Sequence, residues 1–222
     1  MQEKSISKSV IRRLPRYNRF LEELLREGKE KISSRELSER MRLTASQIRQ
    51  DLNCFGGFGQ QGYGYNVAEL RAEIGAILKI NGDQRRVILI GAGNLGRAIA
   101  SHINFEKYGF KLIGIFDRDS SAVGEKIADI TVYSTEKLKS FCDVNVPEMA
   151  ILCIPPEGAK ETVSELIDCG IGAFWNYSHY DIHGDFPDAV VENVHLSDSL
   201  MILSYEMGTK NAEPKPQKKI EV

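Results

Sequence analysis

The sequence predicts an α/β protein of two domains, and three observations lead to this prediction. The N-terminal part reads as short helices around a glycine-rich stretch, whereas the part after it alternates buried strands with helices. Asn81-Gly82-Asp83 forms a turn between the two parts. A length of 222 residues suits two small domains, each with its own core. The predicted divisions are a domain at 1–80, a domain at 81–194, a helix at 195–209 and a disordered tail at 210–222.

Composition and charge exclude several classes of protein. No apolar run is long enough to span a bilayer, and no secretory signal is recognised. The four cysteines show neither a CxxC pair nor metal-ligand spacing, so we expect a cytoplasmic protein without a bound metal. Residues 1–79 carry 15 Lys and Arg against 10 Asp and Glu, while residues 80–222 carry 14 against 21. The basic N-terminal part therefore favours a polyanionic partner.

Two short helices with a tight turn between them dominate the first domain. Ser33 with Glu36, and Thr44 with Gln47, have the spacing of capping boxes at the two helix starts. A helix-turn-helix is the motif built this way. The glycine-dense segment that follows, residues 56–65, permits a tight hairpin and predicts the wing of a winged-helix domain. Longer helices are predicted on either side, over residues 9–28 and 67–80.

The second helix of this pair divides into an apolar and a polar face. Ala45, Ile48 and Leu52 can pack inward. The outward residues are amide, hydroxyl and guanidinium types, which hydrogen-bond base edges and phosphates in the major groove. We therefore predict binding to double-stranded DNA. The predicted DNA-contacting residues, with arginines of the first helix and residues of the wing, are Arg12, Arg13, Arg16, Ser46, Gln47, Arg49, Gln50, Asn53, Gln60, Gln61 and Tyr63.

A glycine fingerprint opens the second domain. The predicted strand 87–90 runs into Gly91-Ala92-Gly93-Asn94-Leu95-Gly96, a helix follows, and Asp117 closes the next strand, about 20 residues further on. In this context Gly91 makes the tight turn, Gly93 admits a pyrophosphate, and Asp117 accepts hydrogen bonds from a ribose. The charge of Asp117 favours NAD(H) over NADP(H), although Arg118 could hold a 2′-phosphate. Coenzyme A and an empty fold remain alternatives. The predicted cofactor-binding residues are Gly91, Ala92, Gly93, Asn94, Leu95, Gly96, Asp117, Arg118, Ile154, Pro155 and Asn176.

Further strands and helices in alternation predict a Rossmann-type, doubly wound parallel sheet. The predicted strands lie at residues 111–116, 150–154 and 173–176, with a helix at 157–169. No nucleophile elbow or paired carboxylate motif is present, and we predict no catalytic residue. His179, Tyr180 and His183 follow the last of these strands and could lie near the cofactor, so an NAD-dependent oxidoreductase with a DNA-binding appendage remains the alternative.

The ordered set of motifs resembles the Rex family of bacterial redox-sensing transcriptional repressors. The resemblance extends from about residue 6 to residue 208. The matching segments are Arg13-Leu14-Pro15-Arg16-Tyr17, Ser33-Ser34-Arg35-Glu36-Leu37-Ser38, Gln47-Ile48-Arg49, Phe55-Gly56, Gly62-Tyr63-Gly64-Tyr65-Asn66-Val67, Gly91–Gly96, Phe116-Asp117 and Val191-Glu192-Asn193-Val194.

The resemblance implies a homodimer that senses the NADH/NAD+ ratio and binds an AT-rich inverted repeat as its operator. NADH would close the dimer and release the DNA, whereas NAD+ would compete without closing it. The resemblance also implies that the last helix is swapped onto the partner's Rossmann domain. His102 and His195 stand where many members carry a Tyr and an Asp that meet across the dimer. The implied dimer and switch residues are His102, Phe105, His195, Leu196, Leu200 and Leu203.

The chain departs from the family pattern at several positions. Gln50 stands where members carry Lys, and Gln60 and Gln61 stand where the wing is basic, so we expect weaker phosphate contacts. The loop 176–179 also differs from the family's Asn-Phe-Ala-Pro. A divergent paralogue with altered operator or ligand response therefore stays open, as does a thiol switch that uses Cys54, which lies beside the predicted groove-facing surface.

Overall fold

The chain divides into two units, each with its own core. The computed structural model describes residues 6–54 and 64–212, with side chains as far as residue 208. The first unit comprises Met1–Gln84 and Phe105–Phe110, and the second comprises Arg85–Asn104 and Lys111–Val222. Most of the predicted wing and residues 213–222 of the predicted tail lie outside the described residues.

The first unit is built from short helices and one small sheet. A predicted single helix over residues 9–28 is two helices, because the chain breaks at Arg12 and Arg13 and a new helix starts with Pro15 in its first turn. β1, which precedes α3, pairs antiparallel with β2, which begins at the last residue of the predicted wing. The elements are α1 (Lys8–Ile11), α2 (Leu14–Arg26), β1 (Lys31–Ile32), α3 (Ser34–Met41), α4 (Ala45–Asn53), β2 (Tyr65–Asn66) and α5 (Val67–Ile77).

Side chains fix the starts of the two central helices. Ser33 Oγ accepts from the Glu36 amide at 3.1 Å, and Glu36 Oε2 accepts from the Ser33 amide at 2.9 Å, which confirms the first capping box. Thr44 Oγ1 accepts from the Gln47 amide at 3.1 Å, which is one of the two bonds of the second predicted capping box. The reciprocal bond, from the Thr44 amide to the Gln47 side chain, was predicted wrongly, because that side chain donates to Asp51. α3 and α4 thus have the order of a helix-turn-helix, and the winged-helix prediction is confirmed at the level of the fold.

A buried carboxylate joins α2 to α4. Asp51 is fully buried and accepts from Arg13 Nε at 2.7 Å, Arg13 Nη2 at 2.6 Å, the Tyr17 hydroxyl at 3.0 Å and Gln47 Nε2 at 2.8 Å. Burial alone would raise the pKa of Asp51, but the hydrogen bonds from Arg13, Gln47 and Tyr17 outweigh it and lower that pKa. Arg13 and Gln47 were predicted to contact DNA. Both side chains hold Asp51, because a buried charge must be neutralised locally, and their contact with DNA stays a prediction.

The second unit is a seven-stranded sheet with helices between its strands. The strand order is β5-β6-β4-β3-β7-β8-β9, and only the short edge strand β5 is observed to pair antiparallel. Without β5, the order is that of the two-halved Rossmann sheet, so the predicted doubly wound parallel sheet is confirmed. The elements are β3 (Arg85–Ile90), α6 (Asn94–His102), β4 (Phe110–Asp117), β5 (Lys126–Ile127), β6 (Ile130–Ser134), α7 (Leu138–Asn145), β7 (Met149–Leu152), α8 (Ala159–Asp168), β8 (Ala173–Asn176), α9 (Ile182–Asp185), β9 (Val190–Asn193) and α10 (Leu196–Ala212).

The last helix, α10, exposes apolar side chains within a single chain. Leu196, Leu200 and Leu203 are 62%, 67% and 51% exposed. Met201, Ile202 and Tyr205 are exposed too, so apolar side chains are exposed on more than one side of the helix. Exposed apolar surface of this extent marks an interaction site. Among the described residues, no helix combines the length and the apolar character needed to cross a bilayer.

Removing the charge of Asp51 should destabilise the first unit. Asp51→Asn leaves the Arg13 guanidinium without its counter-ion, which should cost about 3 kcal/mol of unfolding free energy. Because folding lowers the pKa of Asp51, its stabilisation is present above the ordinary value of 3.8 and is lost as the pH falls through the folded pKa. The difference between wild type and variant should therefore shrink in acid.

Urea unfolding followed by circular dichroism measures this loss, with Asp83→Asn, an exposed aspartate, as the control. Trp175 is the chain's one tryptophan and lies on β8, so its fluorescence reports on the second unit and should change little. Equal unfolding midpoints for the Asp51 and Asp83 variants would contradict the account.

Candidate functional site

The glycine turn after β3 leaves no room for a side chain at two of its three glycines, Gly91 and Gly96. Gly91 has a φ of 101°, and a Cβ there would lie 2.4 Å from the Cys153 carbonyl oxygen. A Cβ at Gly96 would lie 1.9 Å from the Gly91 carbonyl oxygen, because α6 packs directly on the turn. A Cβ at Gly93 would meet nothing within 4 Å. The space beside Gly93 is open, as a fingerprint for close ligand approach requires.

The amino end of α6 is free to bind an anion. Gly93 is the N-cap residue, and within the described part of the chain no side-chain cap hydrogen bond is found at this helix start. These unpaired amides and the helix dipole favour a negative group such as a pyrophosphate. Asn94 and Leu95, both predicted to bind the cofactor, are exposed in this first turn.

Asp117 supports the glycine turn from the end of β4. Its Oδ2 accepts from the Ala92 amide at 2.6 Å, and its Oδ1 accepts from the Asp119 amide at 2.9 Å. The Ala92 amide, predicted to face the cofactor, is therefore engaged by Asp117. A carboxylate has about four acceptor positions, so Asp117 can still accept from the hydroxyls of a ribose.

A cavity of about 290 Å³ lies beside this turn, at the carboxyl ends of β3, β4 and β7. Six of the predicted cofactor residues line it: Gly91, Gly93, Asp117, Arg118, Ile154 and Pro155. Ala92, Asn94, Leu95, Gly96 and Asn176 do not appear in its wall. The lining residues that sequence reasoning missed are Ile90, Thr135, Leu138, Cys153, Gly158, Glu161, Thr162 and Glu165.

The missed residues make the cavity wall acidic. Glu161 and Glu165 on α8 join Asp117, against the single guanidinium of Arg118. Three carboxylates disfavour an additional phosphate, which agrees with the expected preference for NAD(H) over NADP(H). The helix that carries Glu161 and Glu165 was predicted. Its position after a strand of the same sheet as the glycine turn was the signal that could have placed these glutamates at the cofactor site.

Cys153 lies in the cavity wall but is a poor nucleophile. Burial raises the pKa of its thiol to about 12, so the thiol stays protonated near neutral pH. Within the described ranges, no group of three or more His, Cys, Asp and Glu side chains could hold a metal ion. The charged groups in the cavity wall are the carboxylates of Asp117, Glu161 and Glu165 and the guanidinium of Arg118.

Asn176 holds the loop after β8 rather than a ligand. It is buried, and its Nδ2 donates to the Tyr180 carbonyl at 2.9 Å and to Asn193 Oδ1 at 2.8 Å. Its Oδ1 accepts from the Ser178 amide at 3.0 Å and the Ser178 hydroxyl at 2.6 Å. These four bonds use the hydrogen-bonding capacity of the amide. The predicted direct contact between Asn176 and the cofactor is corrected accordingly.

The outer face of α4 stays available for DNA. Ile48 and Leu52 are buried, whereas Arg49 is exposed and donates to Ser34 Oγ at 3.2 Å. Arg42 is a further basic residue, which was not among the predicted DNA contacts. It is exposed in the turn between α3 and α4, with a φ of 51°. The other exposed residues predicted to contact DNA are Arg12, Ser46, Gln50 and Asn53.

The remaining predicted DNA contacts are either engaged within the protein or not described. Arg16 is half-buried; it donates to the Met41 carbonyl and lies over the Phe20 ring. Three predicted DNA contacts in the wing lie outside the described residues: Gln60, Gln61 and Tyr63.

The predicted switch residues are distributed over both units. Phe105 belongs to the first unit, and His102 is exposed at the end of α6 in the second. His195 precedes α10, and its Nδ1 lies 2.7 Å from Nδ1 of His179 in the same chain. No spacing rule predicts this contact between two histidines of the same chain.

Two family models match the chain. The family “Putative DNA-binding protein N-terminus” matches residues 5–53, and the family “CoA binding domain” matches residues 83–180. The first match covers the helix-turn-helix, and the second covers the glycine turn and the cavity.

Curated relatives match almost the whole chain. The redox-sensing transcriptional repressor Rex of Clostridium perfringens (strain SM101 / Type A) is 52% identical over 205 residues, which cover 92% of this chain and 95% of the relative. The Rex of Caldanaerobacter subterraneus subsp. tengcongensis is 54% identical over 208 residues, covering 93% of this chain and 92% of the relative.

Solved structures of RSP, a Rex-family repressor, have the same fold. One has a TM-score of 0.84 at 48% identity, covering 94% of this chain and 96% of RSP. RSP in complex with beta-NAD+ and operator DNA has a TM-score of 0.83 at 50% identity, covering 94% and 95%. RSP in complex with beta-NADH has a TM-score of 0.83 at 47% identity, covering 93% and 96%. With relatives of this identity along nine-tenths of its length, this chain belongs to the Rex family of redox-sensing transcriptional repressors.

Proposed function

We propose that this chain is a cytoplasmic transcriptional repressor that binds operator DNA through its first unit and releases the DNA when NADH binds the second. The observation that carries the proposal is the union, in one chain, of the uncapped amino end of α6 and the exposed polar face of α4. RSP was crystallised with each of the two corresponding partners, which supports the same pair of ligands here.

The residues of the second unit fit a dinucleotide. The α6 amino end would hold the pyrophosphate, Asp117 the adenosine ribose, and the apolar wall at Leu138 and Ile154 the adenine. NADH and NAD+ differ in the charge and planarity of the nicotinamide ring. The protein can sense the NADH/NAD+ ratio only if its two states bind these forms with different affinity.

We propose a homodimer that binds an AT-rich inverted repeat. The exposed apolar side chains of α10 supply the surface that a second copy would cover. Two copies of α4 would then read the two halves of the repeat. Because NADH and DNA favour different states of one dimer, each weakens the binding of the other.

A titrated gel shift tests the proposal. The full chain is bound to an AT-rich inverted repeat, and NADH, NAD+, NADPH and coenzyme A are added separately. NADH should release the DNA, NAD+ should oppose NADH, and the other two should act weakly. Release by coenzyme A but not by NADH would favour the function named by the second family model.

Two alternatives give different results in simple assays. An oxidoreductase would consume NADH in the presence of a small carbonyl substrate, whereas a repressor would not. A thiol switch would lose its response in Cys54→Ser, whereas NADH sensing should survive. Cys54 is half-buried, and its thiol donates to the Gln50 carbonyl at 3.2 Å, so we expect it to be unreactive.

Arg49→Ala should weaken operator binding by about 1–3 kcal/mol and reduce the discrimination against random DNA, if Arg49 reads a base edge. Arg40→Ala is the matched control, because Arg40 is an exposed arginine of the same unit paired with Glu27. Fluorescence anisotropy on operator and random duplexes gives both affinities. Equal weakening on the two duplexes would show that Arg49 contacts only phosphate.

Asp117→Ala should weaken NADH binding about tenfold and NADPH binding less, because it removes a ribose acceptor and a charge that repels the 2′-phosphate. Calorimetry measures both affinities, with Asp119→Ala as the control, since Asp119 accepts from the Ser121 amide. The same loss for both dinucleotides would mean that Asp117 acts only through the glycine turn.

Deleting residues 195–222 should abolish the dimer and the NADH response, because it removes the exposed apolar surface of α10. Sedimentation velocity measures the oligomeric state. A chain that ends at Ala212 keeps the whole helix and should remain dimeric. If the chain that lacks residues 195–222 still sediments as a dimer, α10 is not the dimer contact.

A further inference from the structure

Two histidines meet where the loop after β8 passes the start of α10. The Nδ1 atoms of His179 and His195 are 2.7 Å apart, the ring centroids are 4.8 Å apart, and the ring planes differ by 24°. The centroids lie much farther apart than the nitrogens, so the rings meet edge to edge. This geometry suits a hydrogen bond in which one Nδ1–H points at the lone pair of the other Nδ1.

A shared metal ion fits this geometry poorly. Two nitrogen ligands at about 2.0–2.1 Å from a tetrahedral zinc ion are separated by about 3.3 Å. The observed separation of 2.7 Å is that of a direct hydrogen bond. The pair is therefore a contact between two segments of one chain.

The backbone of His179 supports a role for this contact. Its φ is 63°, in the left-handed region that non-glycine residues occupy rarely. A residue in that region persists where its surroundings hold it. The hydrogen bond to His195 and the network of Asn176 hold this loop from two sides.

The same two segments are linked a second time. The Asn176 side chain at the end of β8 donates to Asn193 at the end of β9. His195 then follows Asn193 by two residues, and its carbonyl accepts from the Asp198 amide at 3.1 Å in the first turn of α10. Movement of the β8 loop is thereby linked to the start of α10.

The loop also lies on the side where a bound dinucleotide would extend. Asp117 on β4 takes the adenosine half, so the nicotinamide half extends from the turn after β3 toward the ends of β7 and β8. We propose that His179 and His195 are positioning residues through which the nicotinamide half acts on α10. This inference rests on the proposed function, because it assigns a route to the response that the proposed function describes.

A double-mutant cycle on the full chain tests the role of the pair. The variants are His179→Ala, His195→Ala and the double alanine variant. His179→Asn is the conservative variant, since the Asn amide places a polar atom near the position of Nδ1. His183→Ala, an exposed histidine of α9, is the control. For each, the coupling factor is the ratio of the operator Kd with and without saturating NADH.

Each alanine variant should reduce the coupling factor about 5-fold, the size expected for one hydrogen bond. The double variant should lose no more than either single one, because both act through the same bond. His179→Asn should recover most of the factor, and His183→Ala should not change it. Unchanged coupling in the single variants, or losses that multiply in the double variant, would overturn the inference.

Hydrogen exchange of the amides in the first turn of α10 separates this inference from the proposed function. His179→Ala should accelerate that exchange, and His179→Asn should restore it, whether or not NADH releases DNA. A wild type whose DNA binding ignores NADH would contradict the proposed function, and with it the route proposed here. Unaltered exchange in His179→Ala, beside a wild type that responds to NADH, would contradict the positioning role only.

Discussion

The second unit depends on keeping the amino end of α6 close to the β3 turn and free of any capping side chain. Gly96 allows the helix to pack on the Gly91 carbonyl, and the positive φ of Gly91 directs the chain into that helix. Asp117 secures the turn by accepting from the Ala92 amide. The free amides of the first turn then become the strongest anion-binding feature of the cavity edge, and the topology places them at the sheet's switch point.

In the first unit, a buried charge holds the helix that carries the proposed DNA-binding face. Asp51 fixes α4 against α2 through Arg13 and Tyr17, and Gln47 on α4 itself completes its hydrogen bonds. Arg49 remains exposed on the outer face of α4. In both units, polar groups that were predicted as ligand contacts hold the element that carries the proposed binding face. A binding face keeps its geometry only if the element that carries it is held rigidly, and the hydrogen bonds of Asp51 and Asp117 hold α4 and the glycine turn in this way.

The architecture could be predicted because its signals are local. The cap at Ser33, the glycine turn and the continuous apolar strands depend on residues near one another in the chain, and all three were confirmed. β6 was missed because only its central residue is buried, which leaves no apolar run. The bonds of Arg13 to Asp51 and of Asn176 to Asn193 were not predicted, because the partners lie 38 and 17 residues away in the chain. No periodicity or spacing rule reports such contacts.

The central claim is that DNA and NADH bind alternative states of one protein, and reciprocity tests it most directly. NADH affinity is measured by calorimetry on the free chain and on the chain saturated with operator duplex, and operator affinity is measured with and without saturating NADH. Linkage requires that the two ligands weaken each other by the same factor. The account predicts equal factors of at least fivefold. An NADH affinity that does not change when operator DNA is bound would contradict it.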